Sequence, residues 1–515
     1  MRIALLLIAL LAGACGETEG RFYDNRTYWI ATDTGVTVLN QRRAVLATPS
    51  SQADELTVKF LDQPIDALQR CGDYHYALAT NHNSVEIWDS AGARRSLPLT
   101  NRVSRMHCSP SGKWLAAYAS SDDTLANAGT VAGLNQLTLI SAQASFADDG
   151  SAPITLSVPD EPLYIVFREG DQPQLNPMVV VVGLSRLSMY NLSSLNQRRD
   201  ATPLAMIPLT VDGEDPGLIA EPILSASGQR LYLRTRTYGE LLRVDLPPLT
   251  PRVSLVADTR GAAAITPISD PTALAILRAD HSLVLLDEDT EQTRVLADSL
   301  DATSATILPG EASSDVSALV VLTHGRAPTV YAVDLTQTHV TPVRLSADYS
   351  TSYLSPDRRF VVFHHPASDY GNSLLTIWDT RTAIPRELSV PAGPLLIGFH
   401  PRHASMVMVA VDSARLYVID LATGAVGAEP YDLTVPADPD PDVADELEPI
   451  TVTAQTMGTV GDYGLFIGSA YPLGAVFFLP YGDTFVPDDI VSLAYLHLYN
   501  LLDTDEPAPA ANSGR

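Results

Sequence analysis

Lysine is almost missing from this 515-residue chain. Only Lys59 and Lys113 stand among 33 basic residues, so arginine supplies the remaining 31. That scarcity argues against chemistry built on a lysine nucleophile or Schiff base. Basic charge as a whole is short: 33 Lys and Arg face 60 Asp and Glu, for a formal net charge of −27. A polyphosphate surface would repel such a chain, which excludes nucleic acid as a partner. Beyond the N-terminal region no stretch of eighteen apolar residues occurs, so no later segment is expected to cross a bilayer as a helix. The sequence also lacks a Gly-x-Ser-x-Gly elbow, a P-loop, a dinucleotide fingerprint, and a Ser-x-x-Lys ahead of plausible partners. Heptads, long amphipathic patterns and βαβ alternation are absent too. What the chain does have is apolar content: 46% of residues are hydrophobic and 18% charged, a composition that excludes disorder, coiled coil and collagen.

The N-terminus reads as an export signal. Met1-Arg2 gives a positive start, Ile3–Leu11 is unbroken apolar sequence, and Ala12-Gly13-Ala14 is a small-residue cleavage stretch. Cys15 follows, and then the polar run Gly16-Glu17-Thr18-Glu19-Gly20. Leu11-Ala12-Gly13-Ala14-Cys15 resembles a bacterial lipobox, although Ala12 stands where leucine is commonest. The resemblance implies that residues 1–14 are removed and that Cys15 is diacylated. With Gly16 rather than aspartate next to it, the same resemblance implies sorting to the outer membrane.

The remainder is a repeat. Short alternating apolar runs that close on an acid or polar residue recur from Val36, Val85, Leu137, Leu187, Leu241, Leu283, Val330, Leu375, Leu416 and Ala475. Their mean spacing of about 49 residues, filled with strand-like segments, is a propeller period rather than a solenoid one. A second element precedes several of them: Ser109-Pro110-Ser111-Gly112, Ser225-Ala226-Ser227-Gly228 and Ser355-Pro356-Asp357-Arg358 align, with His400-Pro401-Arg402-His403 a looser copy. Such sequences suit tight turns between antiparallel strands. Each unit therefore reads as a four-stranded antiparallel blade, and the fold class as all-β, a β-propeller. Seven or eight blades are favoured and up to ten units are counted, because the two end units could combine into one blade.

Ser355-Pro356-Asp357-Arg358-Arg359-Phe360, Ile87-Trp88-Asp89, Ile377-Trp378-Asp379 and Tyr417-Val418-Ile419-Asp420-Leu421-Ala422-Thr423-Gly424 together resemble the broad YVTN, WD-repeat and quinoprotein-like propeller group. The Gly-His pair of WD repeats and the regular terminal Trp of quinoprotein repeats are missing. The resemblance implies domains as follows: signal peptide 1–14, lipidated tether 15–27, propeller 28–500 and a mobile tail 501–515.

Candidate sites are few. The acidic run Asp438-Pro439-Asp440-Pro441-Asp442 with Asp445, Glu446 and Glu448 reads as a solvated loop, since no Asp-x-Asp-x-Asp-Gly calcium pattern is present. His75, His82, His107, His364-His365, His400 and His403 lack metal-ligand spacing, although a propeller can gather distant loops at one mouth. Cys71 and Cys108 form a candidate disulfide, which export permits. Both precede the inter-strand turn of neighbouring units, however, and equivalent points on adjacent blades can lie beyond the ~7 Å Cα limit. One bridge and two separate buried thiols stay equal alternatives. No cofactor and no catalytic or metal-binding residue is assigned. The expected function is a membrane-anchored, non-enzymatic scaffold that binds a protein or cell-envelope component, the membrane contact being through the N-terminal lipid. A periplasmic propeller enzyme, lactonase-like or quinone-dependent, is the alternative.

Overall fold

Nine of the ten recurring runs become the third strand of a four-stranded antiparallel sheet, and the tenth, Val36–Asn40, becomes a second strand. The computed structural model describes residues 27–493, apart from 41–42, 50–55, 57, 122–132, 147–152, 170–174, 199–201, 212, 218, 236–238, 268–272, 301–303, 310–317, 325–328, 335–338, 366–372, 383, 391–392, 401–404, 411–413, 428–429, 436–447, 462–463, 470–474 and 481–490. The signal, Cys15, most of the tether, the tail, His403 and nearly all of the acidic run lie outside the described residues.

Among the described residues, ten four-stranded sheets follow one another, each with its strands in chain order. They are numbered here as blades 1 to 10: 27–60, 65–98, 105–157, 164–208, 219–255, 262–297, 304–344, 351–390, 394–432 and 454–493. A two-stranded ribbon, Thr434–Val435 with Ile450–Thr451, lies between the last two in sequence. This is the upper count of the repeat units. Blades 1 and 10 each keep four strands of their own, so no blade is shared between the ends.

Burial explains the order of strands. Second strands such as Trp114–Tyr118 and Met178–Val182 are buried at every position. They are covered on both faces by neighbouring blades, which is why their sequences run continuously apolar. Fourth strands are mostly exposed, as in Arg94–Pro98 and Arg252–Leu255. First strands contact one another from blade to blade, as 164–168 does 219–224 and 394–399 does 454–460, and this places them at the ring axis. Every neighbouring pair of blades shares one apolar cluster, and Val36, Val38, Val45 and Ala47 of blade 1 join Val460, Phe466, Val476 and Phe478 of blade 10 to close the ring.

The serine turns fall between first and second strands. In three of them one set of bonds repeats. The Ser109, Ser225 and Ser355 hydroxyls accept from the backbone N–H of Trp114, Arg230 and Phe360 at 3.1, 3.1 and 2.9 Å. Their carbonyls accept from Gly112, Gly228 and Arg358 at 2.9, 2.9 and 2.8 Å. The residue three places on is left-handed, with φ of 73°, 67° and 60°. Glycine takes that conformation freely, whereas Arg358 takes it at a steric cost. Two short helices, Ala142–Phe146 and Leu192–Arg198, follow the third strands of blades 3 and 4. Strand alternation does not signal them.

Candidate functional site at one mouth of the ring

The turns between first and second strands meet around one end of the axis. Gly72 of blade 2 lies against Ser111 of blade 3, Gly228 of blade 5 against Arg168 of blade 4, and Gly461 of blade 10 against Asp33 of blade 1. Cys71 and Cys108 end the first strands of blades 2 and 3 beside these turns, joined through sulfur with Cα atoms 5.8 Å apart. That separation lies inside the disulfide window. Of the two alternatives the sequence leaves open, the structure has the bridge, because first strands converge at the axis while outer strands diverge.

From this bridge a chain of inter-blade bonds runs across blades 2 to 5. The fully buried Tyr76 of blade 2 donates its hydroxyl to the Gly112 carbonyl of blade 3 at 2.7 Å. Burial, with lesser contributions from Tyr74 and Glu169, pushes that phenol well above its ordinary range. Ser111 donates its backbone N–H to Glu169 of blade 4 at 2.6 Å and its hydroxyl to the same carboxylate. The next step is Arg168, 2% exposed, whose guanidinium donates to Asn176 O at 2.8 Å and crosses to Gly228 O and Pro247 O of blade 5 at 3.1 and 2.5 Å. Burial lowers its pKa. A buried cation of this kind is tolerable only with its donors satisfied, and three carbonyls do this. Nothing in the composition singles out Arg168. The available signal is a lone arginine closing the apolar strand Tyr164–Arg168.

Inside the mouth, a cavity of about 620 Å³ opens on the axial wall of blades 3, 4 and 5, lined by His107, Tyr118, Tyr164, Phe167, Pro222 and Leu224 among others. The His107 ring stacks on Phe167 with centroids 6.1 Å apart and planes 3° apart. Burial lowers the His107 pKa, which favours the neutral imidazole. An apolar wall with a neutral imidazole can take up an apolar or aromatic group. Two other hollows lie away from the axis. One of about 720 Å³ between blades 8 and 9 is lined by Phe360, Ile377, Ile384, Arg386 and Leu421. The other, of about 540 Å³, is lined by Arg230, Arg243, Asp245, Arg252, Asp289 and Glu291, whose charges pair with one another.

The histidines are scattered through the structure. His75 is buried between blades 1 and 2, and burial with nearby Arg70 lowers its pKa to about 4. His82 faces Val103 O at 2.9 Å. His364 faces the Ser350 hydroxyl at 3.1 Å, while His365 bonds Thr376 Oγ1 and Asp348 O at 2.8 and 2.9 Å. Among the described residues no group of three His, Cys, Asp or Glu is placed to hold a metal, and no helix is long and apolar enough to cross a membrane.

No protein-family model matches the chain, and no curated protein does either. Solved structures do match. The crystal structure of the eukaryotic initiation factor is similar with a TM-score of 0.50 and 13% identity, over 78% of this chain and 95% of that one. The WD40 domain of SCAP from fission yeast follows with a TM-score of 0.42 and 12% identity, over 70% and 93%. Apo AztD from Citrobacter koseri gives 0.36 and 11%, over 78% and 94%. At these identities the likeness concerns the fold alone.

Proposed function

We propose that this chain is a lipid-anchored β-propeller of the cell envelope, tethered to the outer membrane through Cys15. On this reading its ring binds a protein or another envelope component and performs no chemistry on it. The observation that supports the binding role is the chain of bonds across blades 2 to 5. Tyr76, Glu169 and Arg168, three chemistry-bearing groups at the mouth, are committed to joining blades. A mouth held in one shape binds with little ordering cost, which suits a recognition surface.

Two measurements test the proposal. Globomycin treatment, or Cys15→Ala, is expected to release the chain from membranes; unchanged fractionation sinks the anchor. Metal and quinone analysis of the purified protein is expected to find neither in stoichiometric amount. A stoichiometric divalent metal or quinone would put the periplasmic-enzyme reading in its place.

A further inference from the structure

The outer edge of the ring has a charge opposite to that of the chain. The described fourth strands of the ten blades carry seven basic residues, Lys59, Arg94, Arg95, Arg252, Arg294, Arg344 and Arg386. They carry two acids, Glu387 and Asp432. The chain as a whole has nearly two acids for each base. Positive side chains on edge strands are a common guard against edge-to-edge pairing, and that explanation covers blades 1, 2 and 8.

It does not cover blades 4 to 6. Register places Met206 opposite Ser188, Leu255 opposite Leu242 and Val295 opposite Val284. Each of those partners stands three residues before the acid or polar residue that closes its recurring run, so the three apolar side chains lie at one height on consecutive blades. They are 55%, 45% and 50% exposed. At the same height blades 2, 3 and 8 present Ser96, Thr155 and Glu387. The fourth strands of blades 4 and 5 approach each other closely, which makes the stripe continuous across them. Arg252 and Arg294 share those strands, and Arg344 lies on the next blade. Arg252 is held by Asp245 at 2.8 Å. Among the described residues no carboxylate pairs with Arg294 or Arg344. The nearby acids of the blade 6 turn, Glu288, Asp289 and Glu291, are turned toward Arg230 and Arg243.

We propose that the rim of blades 4 to 6 is a docking surface for an extended, acidic segment of a partner protein, which runs around the circumference across the fourth strands. Alternate apolar side chains of the incoming segment cover Met206, Leu255 and Val295, and its carboxylates reach Arg294 and Arg344. The chain's own charge argues for an acidic partner, and on this arc of the rim apolar exposure and unneutralised positive charge coincide. The proposal is independent of the lipid anchor and of the mouth.

The probe is a fluorescent synthetic peptide that alternates glutamate and valine, titrated against the full-length protein in detergent, with a lysine–valine peptide as control. The glutamate peptide is expected to bind and to weaken with salt, and the lysine peptide is not. Leu255→Glu with Val295→Glu is expected to weaken binding at least about tenfold through repulsion and lost apolar contact. Ser96→Glu, at the same height on blade 2, is expected to leave binding unchanged. All variants alter exposed side chains, so their melting temperatures should match the parent. Equal binding by the double variant, equal loss on Ser96→Glu, or no binding of the glutamate peptide would overturn the proposal. Binding to phosphatidylglycerol vesicles in place of the peptide would also overturn it, in favour of a membrane-facing rim.

Discussion

Two junctions of the ring are built differently. Blades 2 and 3 are joined by the Cys71–Cys108 bridge, by the Tyr76 to Gly112 hydrogen bond, and by turns packed so closely that a Cβ on Gly112 would run into the Cys71 carbonyl. Blades 10 and 1 share a close turn contact of Gly461 with Asp33 but otherwise meet through side-chain packing: Val36, Val38 and Val45 press on Phe466, Val476 and Phe478, and Trp29 stacks on Phe466 at 6.1 Å and lies over Gly468. Consecutive blades elsewhere are also tied by the crossover that links them, whereas this seam has neither a crossover nor a shared strand. Closure therefore rests on the fit of large apolar side chains, and the stapled junction has reserves that the seam lacks.

The largest effect should come from breaking the seam. Phe478 is fully buried there, and Phe478→Ala is expected to cost about 3–5 kcal/mol through lost transfer energy and a residual cavity. Denaturant melts measure this, and a loss below about 1 kcal/mol would mean that the seam collapses to fill the space. Next is the stapled junction. The bridge closes a sequence separation of 37 residues, and replacing Cys71 and Cys108 by alanine together is expected to cost about 2–4 kcal/mol. Thermal melts with and without reductant check it: the parent should lose stability on reduction and the double variant should not.

The smallest effect sharpens the contrast through pH. His75, at the blade 1–2 interface and on the same strand as Tyr76 of the stapled junction, has its pKa lowered by burial, with nearby Arg70, from 6.5 to about 4. Between those values the unfolded chain takes up a proton that the folded one refuses, so stability falls as pH drops from about 6.5 towards 4 and is unaffected above. His107 and His364 are lowered too and add to the slope in the same direction. His75→Gln should flatten the stability curve in that window by up to about 3 kcal/mol. A slope identical to the parent's would mean that other groups set it.

Much of this architecture was legible in sequence, because a strand covered on both faces has to be apolar throughout and a turn that reverses it needs Ser, Pro or Gly. The Ser109, Ser225 and Ser355 turns were found on that basis. What remained hidden depends on relations between blades. Val36–Asn40 shares the recurring pattern yet is a second strand, because second and third strands experience the same burial and alternation cannot separate them. The pairing of Cys71 with Cys108 turned on convergence at the axis, which no spacing encodes. The stripe of Met206, Leu255 and Val295 is likewise invisible, because their common height follows from register against strands at different sequence offsets. Arg168 looked like any other arginine until the carbonyls of the next blade closed around it.

The basic rim has a consequence for how these molecules meet one another. Basic residues on the described rim strands of blades 1, 2 and 5 to 8, in a chain that is strongly acidic as a whole, make a charge distribution with quadrupolar character. Two such discs approaching acidic face to acidic face repel, while rim against face attracts. That orientational preference is lost once separation exceeds the Debye length, about 8 Å at physiological ionic strength. In concentrated, low-salt solution the molecules should therefore favour tilted encounters over stacking, a bias that added salt removes.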